Sequence, residues 1–322
     1  MSLKSLTALI AILAATTVAR ADYPERPIQF LVPWNAGGGT DAIARAFAAG
    51  LEKELGVNVS VVNRPGGAGV IGHTAISQAS PDGYTIGLGT AELVSYYWNG
   101  QSELTNKNYT GVALINLDPG AVHISASSDW QNLKDVVEAI RKAPAGTYKL
   151  SGMGPGAAYH LAFAELLQKQ DVDPLKVTVI PSQGAAPGFQ ELAAGGVDII
   201  PSSLPEGRTM MEAGRSKAVA VLSEERNPAF PDVPTAKEAV GVDYANGTWR
   251  AVVGPAGLPQ DVVAKLSEAS KAVYESEEFK KFMDAQGYGM RFEDAEGVTR
   301  FLAERQASVG EIMGALKLRV RD

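Results

Sequence analysis

The sequence feature that most constrains the fold is a glycine-rich turn between an apolar run and an amphipathic segment. Residues 28–32 are apolar and predict a buried strand, and residues 41–55 carry apolar side chains every four positions, which predicts a helix. Three glycines, Gly37 to Gly39, leave the backbone N–H groups at the start of this helix accessible. Because the helix macrodipole places positive partial charge there, the turn predicts an anion-binding site. The alternative is a turn in which the glycines only supply unusual backbone angles.

A second turn of the same design lies in the middle of the chain. Residues 151–156 read Ser-Gly-Met-Gly-Pro-Gly, follow a short strand predicted at 147–150, and precede a helix predicted over 157–169. Two such turns, each at the end of a strand, are typical of two α/β units that face each other across a cleft. The pair favours the anion-binding interpretation of the first turn.

Strand and helix patterns alternate along the whole chain, which predicts an α/β protein of two domains. We place residues 22–119 together with 247–322 in domain 1 and residues 120–246 in domain 2, so that the chain crosses between the domains twice. The strand–helix–strand rhythm over residues 28–88 predicts a parallel sheet covered by helices. Three C-terminal helices, each charged on one face, are expected on the outside of the first sheet.

The first 21 residues predict a signal peptide. Lys4 gives a short positive start, residues 6–18 are apolar or small, and residues 19–21 match an A-x-A cleavage pattern. The run is too short to span a membrane, and no later segment reaches about 18 uncharged apolar residues. We therefore expect an exported, soluble, periplasmic protein.

Several function classes lack the residues that they require. The chain contains no cysteine, which excludes disulfides and thiolate chemistry, and its formal charge of −7 without a basic block argues against nucleic-acid binding. Neither glycine turn continues into Gly-Lys-Ser/Thr, and no Gly-x-Ser-x-Gly elbow occurs. The dinucleotide fingerprint is matched only superficially, since Pro155 interrupts it. The histidines His73, His123 and His160 have no i, i+4 pairing, so we predict no metal, no cofactor and no catalytic residue.

The predicted ligand-binding residues lie in the two turns and at the ends of neighbouring strands. Cationic side chains near the cleft are few, so backbone N–H groups and hydroxyls are expected to hold an anion. Two of the predicted site residues have two possible roles. Asp41 either faces a ligand or orders its loop through an ion pair with Arg45. His160 either contacts a ligand or has a structural role. The cationic candidates Arg64, Arg208 and Arg250 are each interpreted as ion-pair partners. The predicted site comprises Asn35, Ala36, Gly38, Gly39, Thr40, Asp41, Thr90, Gly154, Gly156, Ala157, His160, Ser202 and Ser203.

A series of motifs resembles the periplasmic solute receptors of tripartite tricarboxylate transporters, the Bug or TctC-like family. The motifs lie, in order, at residues 23–28, 32–45, 63–72, 81–85, 160–162, 195–198, 231–235 and 255–259. The resemblance implies a two-domain Venus-flytrap fold, capture of a small organic acid, a mono- or dicarboxylate, and delivery to membrane permease subunits, with the receptor acting as a monomer. It also implies that one carboxylate is held by the loops after the first strand of each domain, here residues 35–41 and 154–157.

Two departures from the family pattern affect the ligand. Ala157 stands where Ser or Thr is usual, and Gln183 stands where many members carry Lys, which weighs against a second strongly anionic group. The aromatic cluster at residues 96–98 either packs in a core or favours an apolar or aromatic ligand tail. Two other functions stay open: an exported enzyme that acts on a small carboxylic acid with His160 or Glu206 as acid/base, and a ligand-sensing subunit for a membrane signalling partner.

Overall fold

The computed structural model describes residues 23–321, so the predicted signal peptide at residues 1–21 lies outside the described residues. The first of its two five-stranded sheets has the strand order β2-β1-β3-β10-β4. β1 runs parallel to β2 and β3, whereas β10 runs antiparallel to β3 and β4. The strands are β1 (Ile28–Val32), β2 (Val59–Asn63), β3 (Thr85–Thr90), β4 (Tyr109–Pro119) and β10 (Gly247–Pro255). The prediction of a parallel sheet is therefore correct for the first three strands, and the two strands that join the sheet later make it mixed.

The second sheet has the order β7-β6-β8-β5-β9. β6 runs parallel to β7 and β8, and β5 runs antiparallel to β8 and β9. The strands are β5 (Ala121–Ser125), β6 (Lys149–Leu150), β7 (Thr178–Val179), β8 (Ile199–Ser202) and β9 (Ser216–Val221). The predicted α/β architecture of two domains is confirmed.

Helices cover both sheets. They are α1 (Gly39–Leu55), α2 (Val70–Ser77), α3 (Leu133–Lys142), α4 (Ala158–Lys169), α5 (Ala185–Ala194), α6 (Leu204–Glu212), α7 (Ala236–Val240), α8 (Gln260–Glu275), α9 (Glu277–Gln286) and α10 (Ala295–Ala315). Sequence analysis missed α6, which begins where Ser203 caps the helix and Pro205 occupies its first turn. None of the helices within residues 23–321 combines the length and apolar character that a membrane span requires.

The apolar spacing of α1 produces the core of domain 1. Ile43, Phe47 and Leu51 are fully buried against the first sheet, and the left-handed Gly56 ends the helix with φ 70°. The Phe47 ring meets Phe279 of α9 edge to face at 5.3 Å. The C-terminal helices thus pack on the outside of the first sheet, as predicted.

The two chain crossings run side by side. Gly120 N–H donates to Asn246 O at 2.8 Å, and Gly247 is paired with Pro119 in the β4–β10 ladder. A Cβ atom at Gly247 would lie 1.9 Å from Asp118 O, so only glycine allows this approach. The strand memberships support domain boundaries near residues 119 and 246, which stay a prediction.

Buried histidines are held in the neutral form by the bonds that they accept. His73 Nε2 accepts the Thr90 N–H at 3.1 Å, and His160 Nδ1 accepts the Gly156 N–H at 2.8 Å. Burial lowers the pKa of His73, His123 and His160 to about 4. Protonation of His73 Nε2 or His160 Nδ1 would place a ring N–H donor opposite a backbone N–H donor, and the hydrogen bond would be lost.

We expect the free energy of unfolding to decrease as the pH falls from 6.5 towards 4. In this window histidines of the unfolded chain bind protons that the folded chain excludes, whereas above it both states are neutral. Each histidine adds at most about 1.4 kcal/mol per pH unit to the slope of the unfolding free energy against pH. Urea unfolding across this range should show the slope, and His160→Gln, whose amide oxygen can accept the Gly156 N–H, should reduce it. A variant with the native slope would contradict the assignment to His160.

Candidate functional site

A small cavity lies where the two domains meet, at the starts of α1, α5 and α6. Its volume is about 50 Å³, and we call it the cleft cavity. Because one water needs about 10–15 Å³, the cavity has room for only a few waters, and the cleft is closed in this structure. The lining residues are Trp34, Asn35, Gly38, Gly39, Thr40, Thr90, Glu92, Thr248 and Arg250 from domain 1, and Gly152, Met153, Tyr159, Gln183, Gly184, Ala185, Ala186, Pro187 and Glu206 from domain 2.

Two helices begin at the cleft cavity without a side-chain cap. Gly38 precedes α1 and Gly184 precedes α5, and neither position offers a side chain to the first N–H groups of its helix. Both glycines line the cavity. Free N–H groups and the positive end of the macrodipole thus reach the cavity from both domains, which is a suitable arrangement for a carboxylate.

The floor of the cleft cavity is a buried ion pair that joins the two domains. Arg250 on β10 is 2% exposed and donates from Nη2 to Glu206 Oε1 of α6 at 2.5 Å and from Nη1 to Asp118 Oδ2 at 2.6 Å. Nη1 also donates to Asn116 Oδ1 at 2.6 Å, and Nε donates to Thr40 Oγ1 at 2.9 Å. Burial alone would lower the pKa of Arg250, but the charges of Glu206 and Asp118 outweigh it and raise that pKa. All three guanidinium nitrogens are therefore in use.

Glu206 places a carboxylate of the chain itself at the start of α1. A Cβ atom built on Gly39 would lie 2.6 Å from Glu206 Oε1. The Ser202 hydroxyl donates to Glu206 Oε2 at 2.5 Å, and Ser203 Oγ accepts the Glu206 N–H at 3.4 Å. Glu206 is thus fixed from both sides of the cleft.

A second carboxyl group, Glu92, reaches the cleft cavity from the segment after β3. Thr90 Oγ1 donates to Glu92 Oε2 at 2.5 Å and accepts the Trp34 Nε1–H at 3.2 Å. Burial raises the pKa of Glu92, and the nearby charge of Glu206 adds to the rise. The domain 1 wall therefore contains a buried carboxyl group whose neutral form is favoured.

Five predicted site residues line the cleft cavity, namely Asn35, Gly38, Gly39, Thr40 and Thr90. Asp41 does not: it accepts the Gly37 N–H at 3.0 Å and hydrogen bonds from Arg45 and Asn63. Burial acts to raise the pKa of Asp41, but these hydrogen bonds outweigh it and lower the value. The loop-ordering interpretation of Asp41 therefore agrees with the structure, and Ala36 is exposed outside the cavity lining.

The second glycine turn, residues 151–156, contributes Gly152 and Met153 to the cleft cavity, but none of its predicted site residues. Gly154, Gly156, Ala157 and His160 are absent from its lining. A Cβ atom at Gly154 would lie 2.5 Å from the Ala68 Cβ, and Gly156 gives its N–H to His160. The start of α5 occupies the place that the prediction gave to the start of α4. Ser202 and Ser203 are likewise fully buried beneath Glu206 rather than in the lining. A ligand-binding role for these residues stays a prediction that the geometry does not favour.

The aromatic cluster at residues 96–98 packs inside the protein. Tyr96 donates to Ala68 O at 3.0 Å, and Trp98 Nε1 donates to Gln306 O at 2.8 Å. The aromatic rings that line the cleft cavity are instead Trp34 and Tyr159. The structure thus agrees with the core interpretation of the cluster.

Two polar atoms in the cleft cavity have no hydrogen-bond partner. They are Gln183 Oε1 and the buried Tyr159 Oη. The Ser203 hydroxyl lies near Tyr159 without making a hydrogen bond of ordinary geometry. Unpaired buried polar atoms are rare in folded proteins and often mark the position of a missing partner. Neither residue belongs to a periodic pattern from which sequence analysis could have predicted a place in the site.

A larger cavity of about 510 Å³ lies beside the two chain crossings. Of the two glutamates that line it, Glu165 and Glu224, Glu165 already accepts hydrogen bonds from Tyr244 Oη at 2.6 Å and Asn246 Nδ2 at 2.7 Å. Gly156, at the start of α4, also lines it, but its N–H is given to His160. The cleft cavity, with its uncapped helices and unpaired polar atoms, is therefore the stronger candidate. Within residues 23–321 no cluster of acidic or histidine side chains has the composition of a metal site.

Comparison with known proteins gives a family match over most of the chain. Residues 43–318 match the model of the tripartite tricarboxylate transporter family receptor. A UPF0065 protein of Bordetella pertussis is 31% identical over 97% of this chain and 96% of its own length. A UPF0065 protein of Pseudomonas sp. strain P51 is 33% identical over 81% of this chain and 78% of its own length.

Solved structures share the fold. The periplasmic binding protein BugD is 28% identical, with a TM-score of 0.84 over 92% of this chain and 99% of its own. MatC of Rhodopseudomonas palustris with bound malate is 25% identical, with a TM-score of 0.80 over 90% and 99% of the two chains. R. palustris Rpa4515 with adipate is 25% identical, with a TM-score of 0.82 over 92% and 99%.

We expect Arg250→Met to lower the free energy of unfolding by about 3–5 kcal/mol, because it leaves the buried carboxylates of Asp118 and Glu206 without a cation. Urea unfolding near neutral pH measures the loss. The matched control is Lys53→Met, which breaks the exposed pair with Glu278 and should lower it by at most about 1 kcal/mol. Equal losses in the two variants would contradict the assigned burial of the pair.

Proposed function

This chain belongs to the tripartite tricarboxylate transporter receptor family, and we propose that it captures a small organic acid in the cleft cavity and delivers it to the permease subunits of such a transporter. Receptors of this family act in the periplasm. The observation that carries the proposal is the pair of uncapped helix starts, α1 and α5, which reach one cavity from two domains. A ligand held between them joins the two domains, which is how a receptor couples binding to closure.

The two structural neighbours that hold ligands support a carboxylate. MatC holds malate and Rpa4515 holds adipate, and both ligands are small carboxylic acids. In this chain we assign the carboxylate to the N–H groups at the starts of α1 and α5, between Gly38, Gly39 and Ala185. Neutral donors suffice because a closed cleft has a low dielectric constant, in which hydrogen bonds to a charged group are strong.

We propose a receptor rather than an enzyme. Glu206 is held by Arg250 and Ser202, and His160 Nδ1 accepts the Gly156 N–H, so the two acid/base candidates are both engaged in structural bonds. A general acid or base must instead reach the reacting atom at about 2.6–3.2 Å. The proposed receptor has one cleft within a single chain, and we expect it to act as a monomer.

A thermal-shift screen of the mature protein against carboxylic acids tests the proposal. Each acid is paired with the compound in which every carboxyl group is replaced by an amide. An acid that binds the folded state raises the melting temperature by mass action, and its full amide should not. Failure of every acid to raise the melting temperature, across aliphatic, aromatic and tricarboxylic acids, would contradict the proposal.

Gly39→Ala tests the position of the site. The added methyl would lie 2.6 Å from Glu206 Oε1 and 2.7 Å from its Cγ, so it should obstruct closure and weaken binding of the acid by about 1–3 kcal/mol. Isothermal titration calorimetry measures the change. The control is Gly314→Ala on α10, where the nearest atom would lie 3.9 Å away and affinity should be native. Native affinity in Gly39→Ala would place the site elsewhere.

A further inference from the structure

We propose that Glu206 determines the charge of the ligand: the cleft accepts a monocarboxylate whose other polar end donates hydrogen bonds and carries no negative charge. This inference rests on the proposed function, because it concerns the same cavity. It follows from three properties of the cavity, namely an arginine with four of its five N–H groups engaged, an excess of carboxyl groups over cations, and two lining residues with a polar atom that has no partner.

Arg250 has four of its five N–H groups engaged within the protein, which leaves one N–H, on Nη2, for a ligand. Its Nε, Nη1 and Nη2 atoms donate to Thr40, to Asn116 and Asp118, and to Glu206, at 2.5–2.9 Å. Its side chain is 2% exposed. A ligand carboxylate could form a bidentate pair with it only by displacing one of the present partners, and displacement of Glu206 would leave that carboxylate without its cation in a desolvated site.

The charges around the cleft cavity repel a dianion. Among the described residues that line it, Arg250 alone is cationic, while Glu206 and Glu92 carry carboxyl groups, and burial raises the pKa of Glu92 and so favours its neutral form. Asp118, which does not line the cavity, forms an ion pair with the same guanidinium. The single positive charge of Arg250 is therefore already paired with two carboxylates. The starts of α1 and α5 supply enough positive partial charge for one carboxylate. Glu206 already lies beside Gly39 at the assigned carboxylate position, so a second negative charge on the ligand would add to the repulsion in a cavity that offers no further cation among its described lining residues.

The two unpaired polar atoms, Gln183 Oε1 and Tyr159 Oη, favour a ligand that carries a hydrogen-bond donor. Gln183 Oε1 is an acceptor without a partner and lines the cavity beside the start of α5. Tyr159 is 7% exposed, and its Oη also lacks a partner. Burial, and then the charge of Glu206, raise the pKa of Tyr159 far above its ordinary value, so its hydroxyl stays protonated. A carboxamide or hydroxyl on the ligand can donate to Gln183 and accept from Tyr159, whereas a carboxylate cannot donate to Gln183.

Diacids and their monoamides separate this inference from the alternatives, since the two molecules differ at one end only, in its charge and in its ability to donate a hydrogen bond. The probes are succinate, glutarate, adipate and terephthalate, each with its monoamide, titrated calorimetrically at about pH 7.5. We expect the native protein to bind a monoamide about tenfold more tightly than the matching diacid. In Glu206→Gln, which keeps the shape of the side chain and removes its charge, we expect the ratio to fall to about one or to reverse.

The control variant is Glu304→Gln, which removes the same charge from an exposed position on α10 outside the lining of the cleft cavity. It should keep the native ratio. Tighter binding of the diacid by the native protein, or a native ratio in Glu206→Gln, overturns this inference and leaves carboxylate capture intact. Absence of binding by every diacid and monoamide, in the native protein and in Glu206→Gln, overturns the inference and the proposed function together.

Discussion

The buried guanidinium of Arg250 is the interaction on which the shape of the site depends. Removing a charge from water costs several kcal/mol, so a buried arginine is tolerated only where partners meet its nitrogens. Here the partners come from α1, β4 and α6, and therefore from both domains. The need to satisfy one cation fixes the distance between α1 and α6 and forms the floor of the cleft cavity.

Because Arg250 is already paired with carboxylates of the protein, the cleft has to bind a ligand anion through other groups. The uncapped starts of α1 and α5 provide them, because glycine at each cap leaves N–H groups unsatisfied. By contrast, α6 is capped by Ser203, and its first turn carries Glu206. The start of α6 therefore has its own cap and its own carboxylate and does not need a ligand anion. The starts of α1 and α5 have neither, so they are the two that we assign to the ligand.

Local pattern predicted most of the elements and part of the site. The spacing of Ile43, Phe47 and Leu51 determines which face of α1 is buried, and an apolar run before three glycines is sufficient to predict the first turn. The second turn was assigned to the cleft because its sequence resembles the first. However, which helix start reaches a cleft depends on how domain 2 packs against domain 1, and sequence similarity between turns carries no information about that packing. Only tertiary structure shows that α5, rather than α4, faces α1.

The ion pair between Arg250 and Glu206 could not be predicted from local sequence patterns either. Arg250 and Glu206 are separated by 44 positions, and Arg250 and Thr40 by 210, so no window of sequence contains the cluster. Each residue taken alone is most simply interpreted as a surface charge. Gln183 shows the complementary case: the missing lysine indicated a weaker anion preference, but only the structure reveals the unpaired Oε1.

The position of the pair relative to the crossings has a mechanical consequence. Asp118 precedes the first crossing by one residue, and Arg250 follows the second by three, so the cluster lies close to the axis about which the domains would turn. For a given rotation, groups near an axis separate less than groups at the mouth of a cleft. We therefore expect the floor to separate less than groups farther from the crossings when the domains open.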